Sequence, residues 1–142
     1  MSMELYVLFA MQDAPSLDDW KRALSEHSIP VSITEEVDLR THSGFLPMRL
    51  EDTDTGLYFL VDDYSDLAAH FPQLTNVSIE DPVVYSLGFG GHQDEGAVVF
   101  YSAYALAVAF NGIAFESQGG TFVNAESLLE AAKLFHEMAA LQ

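Results

Sequence analysis

Two short acidic segments hold the side chains best suited to chemistry. In the first, Asp52 and Asp54 precede Gly56 at the spacing that starts a calcium-binding loop, and Asp63 falls at the twelfth position. Such a loop needs glycine at its sixth position and a helix on each side. Here Leu57 is sixth and the flanking residues alternate as strands do. We therefore predict a hairpin turn, with calcium binding as the alternative.

The second segment follows a glycine-rich run, Gly88 to Gly91, and contains His92, Asp94 and Glu95. A histidine with two carboxylates suggests a metal site or a general base, but zinc requires about three convergent ligands. The run lacks the spacing of a phosphate-binding loop, and no lysine follows it. We predict the start of a helix, with the acids at its positive end. The alternative is a small-ligand or metal-binding domain, possibly an enzyme, built on the Gly88–Glu95 loop and nearby tyrosines.

Other catalytic arrangements find less support in the sequence. Carboxylate doublets such as Asp62-Asp63 point to opposite faces of a strand, so they do not form a catalytic pair. There is no Gly-x-Ser-x-Gly motif of a serine hydrolase and no cysteine. Tyr101 and Tyr104, together with other tyrosines, are candidates to line a pocket, but their spacing is also typical of core residues. We predict a protein that is not an enzyme and that has no cofactor or metal.

The elements that must position these residues begin with an apolar strand and an amphipathic helix. Apolar periodicity and turn residues predict six elements in the first two thirds: strand Glu4–Ala10, helix Ser16–His27, hairpin strands Phe45–Glu51 and Leu57–Asp62, helix Ser65–Phe71 and strand Val83–Phe89. Residues 31–33 are a candidate short strand, and Asp52–Gly56 is predicted as the turn. The order is that of a ferredoxin-like βαββαβ unit, so we predict an α+β fold with a mixed or antiparallel sheet.

The last third follows a different plan. Helix Gly96–Phe110 is apolar nearly all round, which predicts deep burial rather than a membrane span, because no basic residue flanks it. Short strands at Ile113–Phe115 and Thr121–Val123 precede a helix capped by Asn124. We predict a C-terminal helix–β-hairpin–helix extension, and a single domain over residues 1–142.

The charge is strongly one-sided. The chain carries 22 acidic and 5 basic residues, a formal charge of −17, although 49% of it is hydrophobic. Between Arg49 and Lys133 there is no lysine and no arginine. Phosphate binding needs clustered lysine and arginine, so the composition argues against nucleic acid and against an anionic membrane. A high net charge of one sign also keeps a protein soluble, so the alternative is that the acidic residues serve solubility alone.

A field of this sign attracts basic partners and accelerates their association. The acids predicted on turns and helix starts are the candidate contact residues, provided that they share a face: Asp52, Asp54, Asp62, Asp63, Asp94 and Glu95. The expected partner is a basic protein.

A segment near the C-terminus runs from Ser102–Ala107 through Asn111–Gly119 to a helix with Glu126 and Ala131-Ala132. It resembles a pattern in small bacterial immunity proteins. In those proteins an alanine-rich helix leads to a short strand, an acidic residue, a glutamine, a glycine and another helix. The resemblance implies a protein encoded beside a secreted toxin, often a nuclease, that neutralises the toxin by binding it. It supplies no catalytic residue.

The resemblance and the charge lead to the same hypothesis. We expect an acidic, cytoplasmic immunity or inhibitor protein that binds a basic, nuclease-like toxin domain stoichiometrically. The absence of cysteine agrees with a reducing compartment.

Overall fold

Residues 3–141 are described by a computed structural model, in which one antiparallel sheet extends through the protein. The strand order is β2-β3-β4-β5-β1-β6-β7. The strands are β1 (Met3–Ala10), β2 (Val31–Ile33), β3 (Gly44–Leu50), β4 (Thr53–Asp62), β5 (Pro82–Phe89), β6 (Ile113–Glu116) and β7 (Thr121–Val123). The helices are α1 (Leu17–Glu26), α2 (Tyr64–His70), α3 (Gln93–Phe110) and α4 (Ala125–Ala140), with 3-10 turns at Met11–Asp13 and Pro72–Asn76.

Strand β1 lies inside the sheet because its residues are apolar on both sides. Leu5, Val7 and Phe9 are fully buried beneath the larger helical layer, and Leu8 is fully buried on the opposite side. The strand pairs with β5 on one edge and with β6 on the other. An apolar run without alternation is typical of a strand that is covered twice.

Helix α3 forms the centre of the larger layer. Ten of its residues, from Gly96 to Leu106, are buried, which agrees with the all-round apolar character seen in the sequence. Helices α1 and α4 flank it, and α4 approaches closely where Gly96 faces the ring of Phe135. Ser16 and Asp19 cap α1 reciprocally, so this helix begins as a capping box.

The opposite side of the sheet is covered only in part. Helix α2 and the 3-10 turn after it contribute Leu67 and Leu74 to a small core with Leu8, Val84 and Phe115. These last three residues belong to β1, β5 and β6. Within the described residues 3–141, no helix covers this side of β3 and β4, and we call it the outer face.

The ferredoxin-like order is not confirmed. That arrangement would place β1 between the hairpin and the last strand of the unit, whereas β5 lies between β4 and β1. The reason is the short strand β2. It is the first strand after α1, and it pairs antiparallel with β3. The hairpin that follows therefore runs in the direction opposite to that of a ferredoxin-like unit.

The C-terminal elements are not an extension of a completed sheet. Strand β6 pairs with β1, and β7 pairs with β6. Helix α3 also supplies much of the main core, so the first two thirds of the chain have no finished core of their own. In residues 3–141, no helix combines the length and the apolar character needed to cross a bilayer.

The turn between β3 and β4 is shorter than predicted. Leu50 pairs directly with Thr53, so Glu51 and Asp52 alone form the turn, and Glu51 takes a left-handed conformation with φ of 55°. Residues 53–56, predicted as part of the turn, are instead the start of β4. Two-residue turns of this kind require positive φ.

Candidate functional site

The outer face is organised by the alternation of β4. The register of β4 with β3 and β5 is continuous, so Asp54, Gly56, Tyr58, Leu60 and Asp62 all point outward. Leu57 and Phe59, which alternate with these outward-pointing residues, are fully buried in the main core. One strand thus places two carboxylates at the ends of a row and apolar side chains at its centre.

The centre of the outer face is aromatic. Phe45 pairs with Tyr58 across the β3–β4 ladder, with ring centroids 5.4 Å apart and planes 65° from parallel. Tyr58 is 53% exposed and Phe45 is 42% exposed. Gly56 permits this arrangement, because a Cβ there would lie 2.5 Å from the ring of Phe45. The two rings are therefore fixed in place while remaining accessible.

A strip of small residues runs beside the aromatic centre along β5. Gly88 lies between Tyr58 and Glu4, and Ser86 lies between Leu60 and Tyr6. Both β5 residues are buried, so the side chains on either side of them form the surface of the strip. Those of β4 are aromatic and apolar, and those of β1 are Glu4 and Tyr6.

The acids of β1 and β4 both act on the hydroxyl group of Tyr6, which lies between them. Burial, followed by the charges of Glu4 and Asp62, raises the pKa of the Tyr6 hydroxyl. The pKa of Asp62 is also raised, first by burial and further by the nearby charges of Asp66 and Asp63. The ionised form of Asp62 is thus less stable than it would be in water. A cation brought to this place would stabilise it.

Four of the six predicted contact acids lie on or beside the outer face. Asp54 and Asp62 belong to it, Asp52 lies in the adjoining turn, and Asp63 caps α2. With about 3.3 Å per strand residue, Asp54 and Asp62 are roughly 26 Å apart. Asp54 is paired with Arg49, at 3.3 Å between Nε and Oδ1. The acids therefore mark two ends of the face rather than one patch.

The other two predicted acids lie at the start of α3, where the sequence placed them. Asp94 and Glu95 are half-buried in its first turn, and His92 precedes the helix at the N-cap. The Glu95 carboxylate accepts a hydrogen bond from the Gly90 amide at 3.0 Å, so it stabilises the loop. No group of three or more metal-ligating side chains occurs within residues 3–141.

The tyrosines do not line a common pocket. The Tyr101 hydroxyl lies 3.0 Å from Nδ1 of His136, and the Tyr64 hydroxyl donates to the Leu74 carbonyl. Tyr104 packs against the ring of His27, and Tyr85 donates to the Pro15 carbonyl. Each is bound to a different part of the fold.

Comparisons of the chain with known protein families, with curated proteins and with solved structures gave no match. The fold defines an α+β protein with one partly covered antiparallel sheet.

Sequence reasoning missed the apolar centre of the outer face, which consists of Phe45, Tyr58 and Leu60. The signal was present: these residues alternate with core residues on two strands of a predicted hairpin. Nothing in the sequence indicates that α2 covers β1, β5 and β6 but leaves β3 and β4 open.

Proposed function

We propose that this chain is an acidic binding protein of the immunity or inhibitor type, which neutralises a basic, nuclease-like toxin domain by stoichiometric binding. The outer face is the contact surface. The observation that carries the proposal is the exposed Phe45–Tyr58 pair between Asp54 and Asp62, in a protein with a net charge of −17.

The composition of the outer face suits a protein interface. Energetically important interface residues are often aromatic, lie near the centre and are surrounded by polar groups that exclude water. An interface of standard size covers about 800 Å² on each partner, equivalent to a disc about 32 Å wide. The separation of Asp54 and Asp62 fits within that width, so one partner domain can contact both ends.

The strip along β5 gives a position for a basic side chain. A lysine or arginine above Gly88 would lie between the exposed Tyr58 ring and the Glu4 carboxylate. Cations bind favourably to the faces of tyrosine rings. A second cation near Asp62 would offset the burial and the repulsion that raise the pKa of that carboxyl. The strip thus favours a basic partner over a neutral one.

The C-terminal resemblance supplies the biological role in this proposal. Immunity proteins are encoded beside the toxins that they neutralise, and nuclease toxins are typically basic. We place the protein in the cytoplasm, where the substrate of such a toxin is found. Asp52 and Asp63 extend the contact, while Asp94 and Glu95 contribute to the field that steers the partner.

The first test is co-expression with the product of the neighbouring gene, followed by measurement of complex stoichiometry and association rate. We expect a 1:1 complex with a basic protein, whose association rate falls by about 10-fold or more between low and high salt. An association rate that is insensitive to salt would contradict the electrostatic part of the proposal. Failure of the two products to associate would contradict the role.

The second test locates the contact face by charge reversal. Asp52→Lys, Asp54→Lys and Asp62→Lys together should weaken binding by at least about 10-fold more than a control reversal of equal charge. The control carries Glu26→Lys, Glu126→Lys and Glu130→Lys, which are exposed on α1 and α4. Equal losses in both variants would show that the charge acts only at long range and that the chosen face is wrong.

The aromatic centre is tested separately. Tyr58→Ala should weaken binding by about 10- to 100-fold, the range expected for an aromatic residue at an interface centre. Phe122→Ala is the matched control, because Phe122 is an aromatic residue of similar exposure on β7, at the far edge of the sheet. If Phe122→Ala lowers the affinity and Tyr58→Ala does not, the interface lies at the other end of the sheet.

A further inference from the structure

A cleft of about 640 Å³ opens on the helical side of the sheet, opposite the outer face. It lies between the start of α1, the loop that joins β2 to β3, and the adjoining ends of β4 and β5. The walls are mostly apolar and include Met11, Leu17, Leu39, Val61, Val83 and Tyr85. The volume is in the range of sites that hold small molecules.

The cleft leaves large apolar side chains in contact with water. Met11 is 64% exposed and Val61 is 39% exposed, although Val61 points to the helical side of β4, where its neighbours are core residues. Methionine adapts its shape easily, so Met11 can close over a bound molecule. A ligand that covers both side chains gains the free energy of removing apolar surface from water.

The walls of the cleft are anchored to the rest of the fold. The Tyr85 hydroxyl donates to the Pro15 carbonyl at 2.6 Å, which fixes the segment before α1 against β5. On the opposite wall, Leu39 is buried in the main core, and Glu36 forms a surface ion pair with Lys21 of α1. Because Tyr85 and Leu39 anchor both walls, the cleft is preformed and a ligand need not order it.

The charges at the mouth disfavour an anionic ligand. The single arginine there, Arg40, is paired with Asp38 at 3.3 Å. At the start of α1, the other usual anion site, the amides of Ser16 and Asp19 are engaged by their capping box, and the carboxylates of Asp18 and Asp19 repel an anion. Asp18 is exposed and lines the cleft, and none of the ion pairs found in residues 3–141 includes it.

We propose that this cleft binds a small molecule with an apolar, aromatic body and one positive charge, an arylalkylamine. The apolar body occupies the space between Met11, Val61 and Leu39, and the ammonium group lies at the mouth near Asp18. The site is independent of the outer face: Val61 points into the cleft, whereas Asp62, the next residue, points to the other side of the sheet.

The test uses three probes of nearly equal shape and different charge: tryptamine, tryptophol and indole-3-acetate. Binding is followed by the methyl resonances of Met11 and Val61. We expect tryptamine to bind about 10-fold more tightly than indole-3-acetate, with tryptophol between them. No shift of either methyl resonance at millimolar probe, or equal affinity for indole-3-acetate, would overturn the proposal.

Two variants with matched controls identify the cleft as the site. Val61→Trp should abolish tryptamine binding by filling the space, whereas Val108→Trp, at an equally exposed valine on α3, should not. Asp18→Asn should remove the preference for tryptamine over tryptophol, whereas Glu26→Gln at the other end of α1 should keep it. Binding that survives Val61→Trp would refute the assignment. Neither variant alters the outer face, so failure here leaves the proposed partner binding to be judged by its own tests.

Discussion

Replacement of Gly96 by alanine tests how α3 and α4 pack. In most helices this change raises the free energy of unfolding by about 1 kcal/mol, because alanine has the higher helix propensity. Here a Cβ would lie 2.7, 2.9 and 3.0 Å from three atoms of the Phe135 ring, closer than carbon atoms approach in packed proteins. The ring must therefore move, and overpacking of this kind costs about 1–3 kcal/mol.

The ring of Phe135 is not free to move inward. It stacks on Phe100 with centroids 5.5 Å apart and contacts the edge of Phe89 at the same distance. Since Phe135 is only half-buried, it can yield toward solvent, which limits the loss. We expect Gly96→Ala to lower the free energy of unfolding by about 1 kcal/mol net, a fall of about 3 °C in Tm.

Urea denaturation of four variants measures this effect. Phe135→Leu removes the obstructing ring, so Gly96→Ala added to that variant should be stabilising, with a coupling free energy of about 1–2 kcal/mol between the two sites. Gly91→Ala is the control, because no atom lies within 4 Å of its added Cβ. A Gly96→Ala protein as stable as the wild type, or an absence of coupling to Phe135→Leu, would refute this account of the packing.

Three further predictions concern ionisable groups. Tyr85→Phe should lower the free energy of unfolding by about 1–3 kcal/mol, because the Pro15 carbonyl loses its donor in a buried place. Burial raises the pKa of Tyr85 from 10 to about 12. The stability that Tyr85 contributes is therefore full below pH 10 and is lost as the pH rises from 10 to 12. Over that range, the free energy of unfolding should fall less steeply in Tyr85→Phe than in the wild type. Asp62→Asn should raise Tm at pH 7 but not at pH 3. Burial raises the pKa of this carboxyl, so its ionised form destabilises the fold above the folded-state pKa and has no such effect below the unfolded-state pKa. Equal changes of Tm at both pH values would contradict this. Moderate NaCl should raise the Tm of the wild type by screening repulsion among 22 acids, and a flat response would show that the acids are compensated locally.

The sequence predicted most elements because their signals are local. The apolar alternation of Leu46, Met48 and Leu50 places β3, and Asn124 caps α4 as predicted. The short strand at 31–33 is also confirmed. These patterns depend on a few neighbouring residues, so a single sequence is sufficient to read them.

The pairing of strands could not be read in the same way. The order of the sheet depends on β2, whose three residues reverse the direction of the hairpin that follows, and on β6, which joins the free edge of β1. Both are tertiary contacts between distant segments. The turn was predicted too long because Thr53 to Gly56 are polar or small, although Gly56 is in fact a strand residue that accommodates Phe45.

The surroundings of the predicted contact acids could not be read from the sequence either. The sequence placed Asp54 in a turn and Asp62 at the end of a strand, but did not indicate that both belong to one strand and point to an uncovered side of the sheet. The cleft was not predicted at all, because its walls come from four segments that are far apart in the chain. Surfaces formed by long-range packing require the fold to be known.

The central position of β1 has a consequence for synthesis of the protein. Ala10 pairs with Pro82 and Leu5 pairs with Glu116, so this apolar strand has no partner until most of the chain has left the ribosome. At typical rates of translation that interval is roughly 5–20 s. During it, an unpaired apolar strand is prone to pair with other chains, and the acidic residues emerging behind it keep neighbouring chains apart by repulsion. The negative charge thus protects the nascent chain before it can serve the folded protein.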